Sequence, residues 1–151
     1  MSRFGGDYGE DEWSNLNWGR WANNIKQILN GKRGRKVLLE MEQALLALPE
    51  PRLIAGKLCE ITEGEDGAVK AEFCVIGAYA AFKGAEPEEL AKRYLEDGSY
   101  ETAMVGQEHG MQYTLAWTLG DLNDEDFAQL TPEGRYDEIL GWVRSKLAVA
   151  V

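Results

Sequence analysis

The sequence has few basic residues, with 16 Lys and Arg against 26 Asp and Glu and a formal net charge of −10. Non-specific binding to nucleic acids or anionic membranes depends on Lys and Arg that neutralise phosphates, so this balance argues against both as direct partners. The sequence also lacks a run of about 18 apolar residues, which a membrane-spanning helix needs, and an apolar signal segment near Met1. We therefore predict a cytoplasmic protein that binds another protein or a small molecule.

Cysteine and histidine are scarce, and their spacing fits no metal-binding motif. Cys59 and Cys74 are the only cysteines, His109 is the only histidine, and no Cys-x-x-Cys motif is present. We predict no metal site and no cofactor. Cys74 is a candidate reactive thiol, because a strand-to-helix boundary would place it at a helix N-terminus, which lowers a thiol pKa, with His109 as its base. The favoured interpretation is a buried cysteine in apolar surroundings.

The remaining composition is that of a globular domain, with 44% hydrophobic and 10% aromatic residues. We predict a flexible N-terminal arm over residues 1–11 and a single compact domain over residues 12–151. Apolar periodicity and turn residues predict an α+β fold, mostly α-helical with one small β-hairpin. In chain order the predicted elements are a helix over 12–29, a basic turn over 32–36, a helix ending at Pro49, strands over 52–61 and 68–76, short helices over 77–82 and 88–95, a loop over 97–101, and two further helices, the second starting at Thr131-Pro132-Glu133.

Aromatic residues are concentrated in the first predicted helix. Five positions separate Trp13 from Trp18, so the two cannot lie wholly on one helix face, and an exposed tryptophan is typical of protein interfaces. The basic turn adds Arg33 and Arg35, which can pair with an acidic patch of a partner or of a second copy. We therefore name Trp13, Trp18, Arg33 and Arg35 as candidate binding residues, and self-association through residues 12–29 stays open.

Acidic residues cluster in four segments, at 7–12, 60–66, 86–89 and 121–126. If several of them share one face, that face can imitate a phosphate backbone and occupy a basic protein channel; ordinary solvated surface is the alternative. The last segment also suggests calcium, but an EF-hand loop counted from Asp121 needs Gly where Asp126 stands and Glu where Pro132 stands. The favoured interpretation there is Asn and Asp side chains that bond to their own backbone at a helix end.

Five short segments together resemble a family of short uncharacterised proteins common in phages and prophage-bearing bacterial genomes. The segments are LPEPRLI at 48–54, FCVIGA at 73–78, LNDE at 122–125, TPE at 131–133 and WV at 142–143. The family typically has Leu-Pro-Glu-Lys-Arg-Leu-Ile, Cys-x-Leu-Gly-Ala and a late Asn-Asp-Glu, so this chain departs from it at Pro51 and Ile76. The resemblance covers about residues 18–145, leaves His109 outside the motifs, and implies a genomic setting rather than a mechanism.

These observations rank three functions. The first is a non-catalytic, phage- or prophage-associated interaction module that inhibits or modulates a host or phage protein in the host cytoplasm, because every catalytic arrangement considered is incomplete. The second is an acidic nucleic-acid mimic that occupies a basic protein channel. The third is a small-ligand-binding protein or thiol enzyme that uses Cys74.

Overall fold

A computed structural model describes residues 23–93 and 98–148. Within these ranges the fold belongs to the predicted α+β class, mostly helical with one two-stranded antiparallel hairpin. The predicted arm over 1–11 lies outside the described residues. The elements are helical residues 23–30 (α1), α2 (Lys32–Leu46), β1 (Cys59–Glu63), β2 (Val69–Phe73), α3 (Val75–Phe82), α4 (Pro87–Lys92), α5 (Gly98–Glu108), α6 (Tyr113–Asp121), a π-helical turn (Leu122–Asp126) and α7 (Pro132–Ala148).

Helix α3 lies at the centre of the core. Its residues from Val75 to Ala80 are all buried, and α2, α5 and α6 pack around it, while α7 packs on α2. Gly77 allows the closest approach, because a Cβ added there would lie 1.9 Å from the carbonyl oxygen of Leu58. The start of α3 is therefore held directly against the segment that precedes β1.

The predicted hairpin is confirmed, with shorter strands. Cys59 pairs with Phe73 and Glu63 with Val69, and Gly67 takes a positive φ of 80° in the connecting turn. β2 ends at Phe73 because Cys74 is already the N-cap of α3, where its Sγ accepts a hydrogen bond from the backbone N–H of Gly77. A change from strand to helix around Cys74 was thus predicted correctly, but the predicted strand over 68–76 ran three residues beyond the end of β2.

Two predicted non-helical segments are wrong. The basic segment 32–36 is the first part of α2, which starts directly after Gly31, and the carbonyl of Gly31 accepts the N–H of Arg35. The predicted loop over 97–101 is also largely helical, since α5 starts at Gly98. Tertiary packing overrides local composition at both places.

The helix starts at proline were predicted correctly. Helix α7 begins at Pro132, and Thr131 accepts the N–H of Gly134 at its N-terminus. Helix α4 begins at Pro87 and carries acidic residues in its first turn, which suits the positive end of the helix dipole. In the ranges that the structure describes, no helix combines the length and apolar character needed to cross a bilayer.

Candidate functional site

The two candidate arginines contact helix ends of the same chain. Arg35 is partly buried, and its guanidinium donates to the carbonyl oxygens of Lys146 at 3.4 Å and Leu147 at 2.6 Å, near the C-terminus of α7. Arg33 is exposed and donates to the carbonyl of Gly110 at 3.4 Å. Positive groups at helix C-termini satisfy free carbonyls and suit the dipole. Arg35 therefore serves the fold, and a partner contact at Arg33 stays a prediction, as it does at Trp13 and Trp18, which lie outside the described residues.

Cys74 does not have the properties of an activated nucleophile. Its side chain is buried, and burial raises the pKa of the thiol to about 12, with the nearby Asp124 carboxylate acting in the same direction. The backbone N–H groups at the start of α3 lower the pKa by less than burial raises it. The favoured interpretation of a buried cysteine is therefore confirmed, and the alternative of a thiol with a lowered pKa is wrong. The Nδ1 atom of His109 lies 2.9 Å from the carbonyl oxygen of Val105, one turn earlier in the same segment.

The acidic segment 121–126 is partly used to hold distant backbone. The Oδ1 of Asn123 accepts the N–H of Val75 at 3.1 Å, and its Nδ2 donates to the carbonyl of Ile54 at 2.9 Å. The Oδ1 of Asp124 accepts the N–H of Gly56 at 3.1 Å and the Nδ2 of Asn123 at 2.8 Å. The expectation that Asn123 and Asp124 bond to their own backbone is therefore wrong. In the described ranges no group of three His, Cys, Asp or Glu is placed to hold a metal.

Arg135 completes this arrangement from α7. It is 5% exposed, and its guanidinium donates to four backbone carbonyls, with distances of 2.6–3.1 Å. The acceptors are Leu53, Phe127, Ala128 and Leu130. We call Asn123, Asp124 and Arg135 the polar clamp, because together they hold residues 53–56 against α3, the π-helical turn and α7. The role of Arg135 was not predicted from the sequence, although its place one turn before the buried Ile139 was the available signal.

A second group of polar residues, all acidic, lies on the surface. Glu60, Glu63, Glu65 and Asp66 of the hairpin and Glu86, Glu88 and Glu89 of the α4 region are all exposed. We call these seven residues the acidic edge. Helix α4 packs against β1, and the pKa of Cys59 is raised by burial and by the charges of Glu88 and Glu60. The fold thus brings two of the four acidic segments together, while 121–126 belongs partly to the clamp and 7–12 lies outside the described residues.

The acidic edge carries unbalanced charge. Within the part of the chain that the structure describes, none of its seven carboxylates has an ion-pair partner. Acids elsewhere do pair, such as Glu40 with Lys83 and Glu42 with Arg144. Three exposed lysines, Lys57, Lys70 and Lys92, lie on or beside the same elements, and Lys70 is paired with Glu50. Negative charge therefore dominates this surface.

A groove of about 550 Å³ runs between β1 and α4 beside the acidic edge. Residues 56–61 line one wall, and Leu90, Ala91 and Arg93 line the other. Arg93 is neutralised by Glu108, to which its guanidinium donates at 2.8 and 2.9 Å; this bond raises the pKa of Arg93 and lowers that of Glu108. The groove thus combines apolar side chains such as Ile61 and Leu90 with the charged side chains of Lys57, Glu60 and Arg93.

The chain was compared with known protein families, curated proteins and solved structures. No protein family, curated protein or solved structure matches the chain.

Proposed function

We propose that this protein is a non-catalytic interaction module whose acidic edge binds a basic surface of a partner protein. The observation that carries the proposal is the set of seven exposed carboxylates on adjacent elements, none of which has an ion pair in the described ranges. Several basic residues are paired with other acids instead, as in the contacts of Lys83 with Glu40 and of Arg144 with Glu42. A partner that brings Lys and Arg would supply the missing charge.

Electrostatics gives the proposed complex definite properties. Complementary charge accelerates encounter with a basic partner and repels nucleic acids and anionic membranes. Such attraction acts between solvated groups and is screened over about 8 Å at physiological ionic strength. Binding should therefore weaken strongly as salt is added.

The proposed partner is a host or phage protein. This part of the proposal rests on the resemblance to phage and prophage proteins, which implies synthesis in a bacterial cytoplasm. Inhibition of that protein follows if its basic surface is needed for its own activity. The charge of the partner's surface and the identity of the partner protein are separate questions, and the acidic edge supports only the proposal that the surface is basic.

Nucleic-acid mimicry is the second candidate, because α4 and the hairpin bring two acidic segments onto one surface. It differs from the first in the kind of basic surface, which would be a nucleic-acid-binding channel. If this candidate is right, a short DNA duplex should compete with the protein for the purified partner. Simultaneous binding of the duplex and the protein would exclude it.

The charge proposal can be tested with a deca-lysine peptide as the probe. The double variant Glu60→Gln/Glu88→Gln should weaken peptide binding about tenfold, since two solvated ion pairs contribute up to about 1 kcal/mol each. The matched control Asp137→Asn/Glu138→Gln removes the same net charge from exposed positions on α7 and should stay within about twofold. Titration calorimetry at two salt concentrations measures both. Equal losses in the two variants would show that net charge alone attracts the peptide and would overturn the proposal.

A further inference from the structure

The two edges of the hairpin can be distinguished by their backbone hydrogen bonds. The N–H of Gly64 donates to the carbonyl of Ala68 at 2.8 Å, and the N–H of Cys74 donates to the carbonyl of Leu58 at 3.2 Å. Hydrogen-bonded pairs alternate along an antiparallel ladder, so Glu60 with Glu72 and Thr62 with Lys70 are the bonded pairs between these ends. The backbone groups of residues 59, 61 and 63 therefore point away from β2, and those of 69, 71 and 73 point away from β1.

The outer edge of β2 is flanked by residues 50–54 of the same chain and is hydrogen-bonded to them at one position. The N–H of Ile54 donates to the outward carbonyl of Phe73 at 3.0 Å. Two ion pairs hold the same segment beside the strand, Glu50 with Lys70 at 3.0 Å and Arg52 with Glu72 at 3.3 Å. A chain segment beside an edge strand hinders pairing with other chains, although in the described ranges the outward groups of Val69 and Ala71 have no hydrogen-bond partner.

The outer edge of β1 is open and faces the groove. Among the residues that the structure describes, the outward N–H and C=O groups of Ile61 and Glu63 have no hydrogen-bond partner. Ile61 lines the groove between β1 and α4, together with Glu60 of the acidic edge and with Lys57. Unpaired backbone donors and acceptors next to a groove are the feature that strand-adding peptides use.

Side-chain alternation then determines what an added strand would carry. In β1 the side chain of Ile61 lies on the face of the buried Cys59, and that of Glu60 lies on the opposite, exposed face. A neighbouring strand would point every second side chain toward Ile61 and Leu90, which both line the groove. The intervening side chains would lie on the face of Glu60.

We propose that the partner binds through an extended segment that adds to the open edge of β1 as a third strand, with Lys or Arg alternating with small apolar residues. The basic side chains lie on the face of Glu60, near its carboxylate, and the apolar ones fill the groove against Ile61 and Leu90. This inference rests on the proposed function, because negative charge selects a basic segment over other strands. Backbone pairing supplies the affinity, and the alternation supplies the specificity.

The probe for this proposal is the peptide Lys-Val-Lys-Val-Lys-Val, whose binding is measured by titration and by the amide NMR signals of the protein. Ile61→Pro removes an outward N–H without removing a ladder bond, and should weaken binding at least tenfold. Ala71→Pro is the matched control, because Ala71 is the cross-strand partner of Ile61 and its N–H points away from β1 on the opposite edge of the hairpin. It should change binding less than twofold. Equal losses in both variants would overturn the proposal.

Peptide variants test the same point on the unaltered protein, so the result does not depend on whether a proline variant folds. Methylation of the backbone nitrogens of the valines, and separately of the lysines, removes alternate N–H groups of the probe. One of the two peptides should lose at least tenfold more affinity than the other, because only alternate N–H groups face β1. Equal affinities would exclude strand addition. If Glu60→Gln/Glu88→Gln still weakens binding in that case, only the strand proposal fails, whereas no effect of either change means that the proposed function fails too.

Discussion

The polar clamp and the acidic edge use similar residue types in opposite ways. In the clamp, the guanidinium of Arg135 has four carbonyl partners, and Asn123 joins three segments of the chain. On the acidic edge, seven carboxylates face solvent without ion pairs in the described ranges. The difference teaches that the number of charged residues in a segment does not show whether the segment stabilises the fold or is available to a partner. The distinguishing property is whether each charged side chain has a hydrogen-bond or ion-pair partner within the same chain.

Burial explains why the clamp must be complete. A polar group taken out of water costs free energy unless it is hydrogen-bonded, so the buried carbonyl of Leu53 needs the donor that Arg135 supplies, and the three partly buried carbonyls share in this to a lesser degree. Burial also raises the pKa of Asp124, although its hydrogen bonds from Gly56 and Asn123 and the charge of Arg135 act against this. The acidic edge has no such requirement, because water solvates its carboxylates.

The largest expected effect is the loss of the buried guanidinium. Arg135→Met leaves the carbonyls of Leu53, Phe127, Ala128 and Leu130 without this donor and should lower the free energy of unfolding by about 3–5 kcal/mol. Arg144→Met on the same helix is the control, since it breaks only the solvent-exposed pair with Glu42 and should cost less than about 1 kcal/mol. Urea denaturation measures both. Similar losses would mean that the clamp is no more important than a surface ion pair.

A smaller effect is expected where the segment before β1 touches α3. Gly77→Ala places a Cβ against the carbonyl oxygen of Leu58, and the backbone must shift, at a cost of roughly 1–3 kcal/mol. Gly141→Ala in α7 meets no atom within 4 Å and should stabilise the protein by about 0.5–1 kcal/mol. Thermal unfolding of the two variants gives the comparison. A stabilising Gly77→Ala would contradict the close contact between α3 and residue 58.

The next prediction concerns pH. Because the pKa of Asp124 is raised above 3.8 in the folded state, this carboxyl binds its proton more tightly there than in the unfolded chain. Its contribution to stability is therefore greatest at low pH and falls as the pH rises through the raised pKa. Asp124→Asn keeps an oxygen acceptor for Gly56 and removes the ionisation, so its stability relative to the unaltered protein should be greater at pH 7 than at pH 4. A stability difference that is the same at both pH values would refute this assignment.

The smallest effect on stability is expected at the acidic edge. Glu60→Gln/Glu88→Gln should change the free energy of unfolding by less than about 0.5 kcal/mol, because exposed substitutions away from special contacts have small effects. The same variant should lose deca-lysine binding about tenfold, as proposed above. Measuring both the free energy of unfolding and the affinity for deca-lysine distinguishes residues that bind a partner from residues that stabilise the fold. A loss of stability as large as that of Gly77→Ala would show that these glutamates stabilise the fold, as the residues of the polar clamp do.

Much of the fold could be predicted from local patterns. The hairpin follows from a polar turn between two apolar segments, and the starts of α4 and α7 follow from proline and nearby acids. The helical state of residues 32–36 and of the segment from Gly98 could not be predicted, because local charge, glycine and serine favour turns there. Packing of α2 on α7 and of α5 on α6 outweighs these preferences.

The sequence predicts the acidic segments of the acidic edge but not that these segments lie next to each other. The segments 60–66 and 86–89 were recognised as acidic, but their contact depends on α4 packing against β1, between residues far apart in the chain. The clamp escaped prediction for the same reason. Asn123 reaches Val75 and Ile54, and no local pattern indicates which distant carbonyl or amide a side chain will meet.

The sequence by itself determined the secondary-structure class, the hairpin and the acidic balance, because these depend on the periodicity and type of neighbouring residues. Only the tertiary structure decided which charges are neutralised and which remain open. Arg35 became a contact to the end of α7, Arg135 became the centre of a buried clamp, and Cys74 became a protonated core thiol. The physical reason is that hydrogen bonding, burial and electrostatic screening depend on which groups meet in space, and most of these groups lie far apart in sequence.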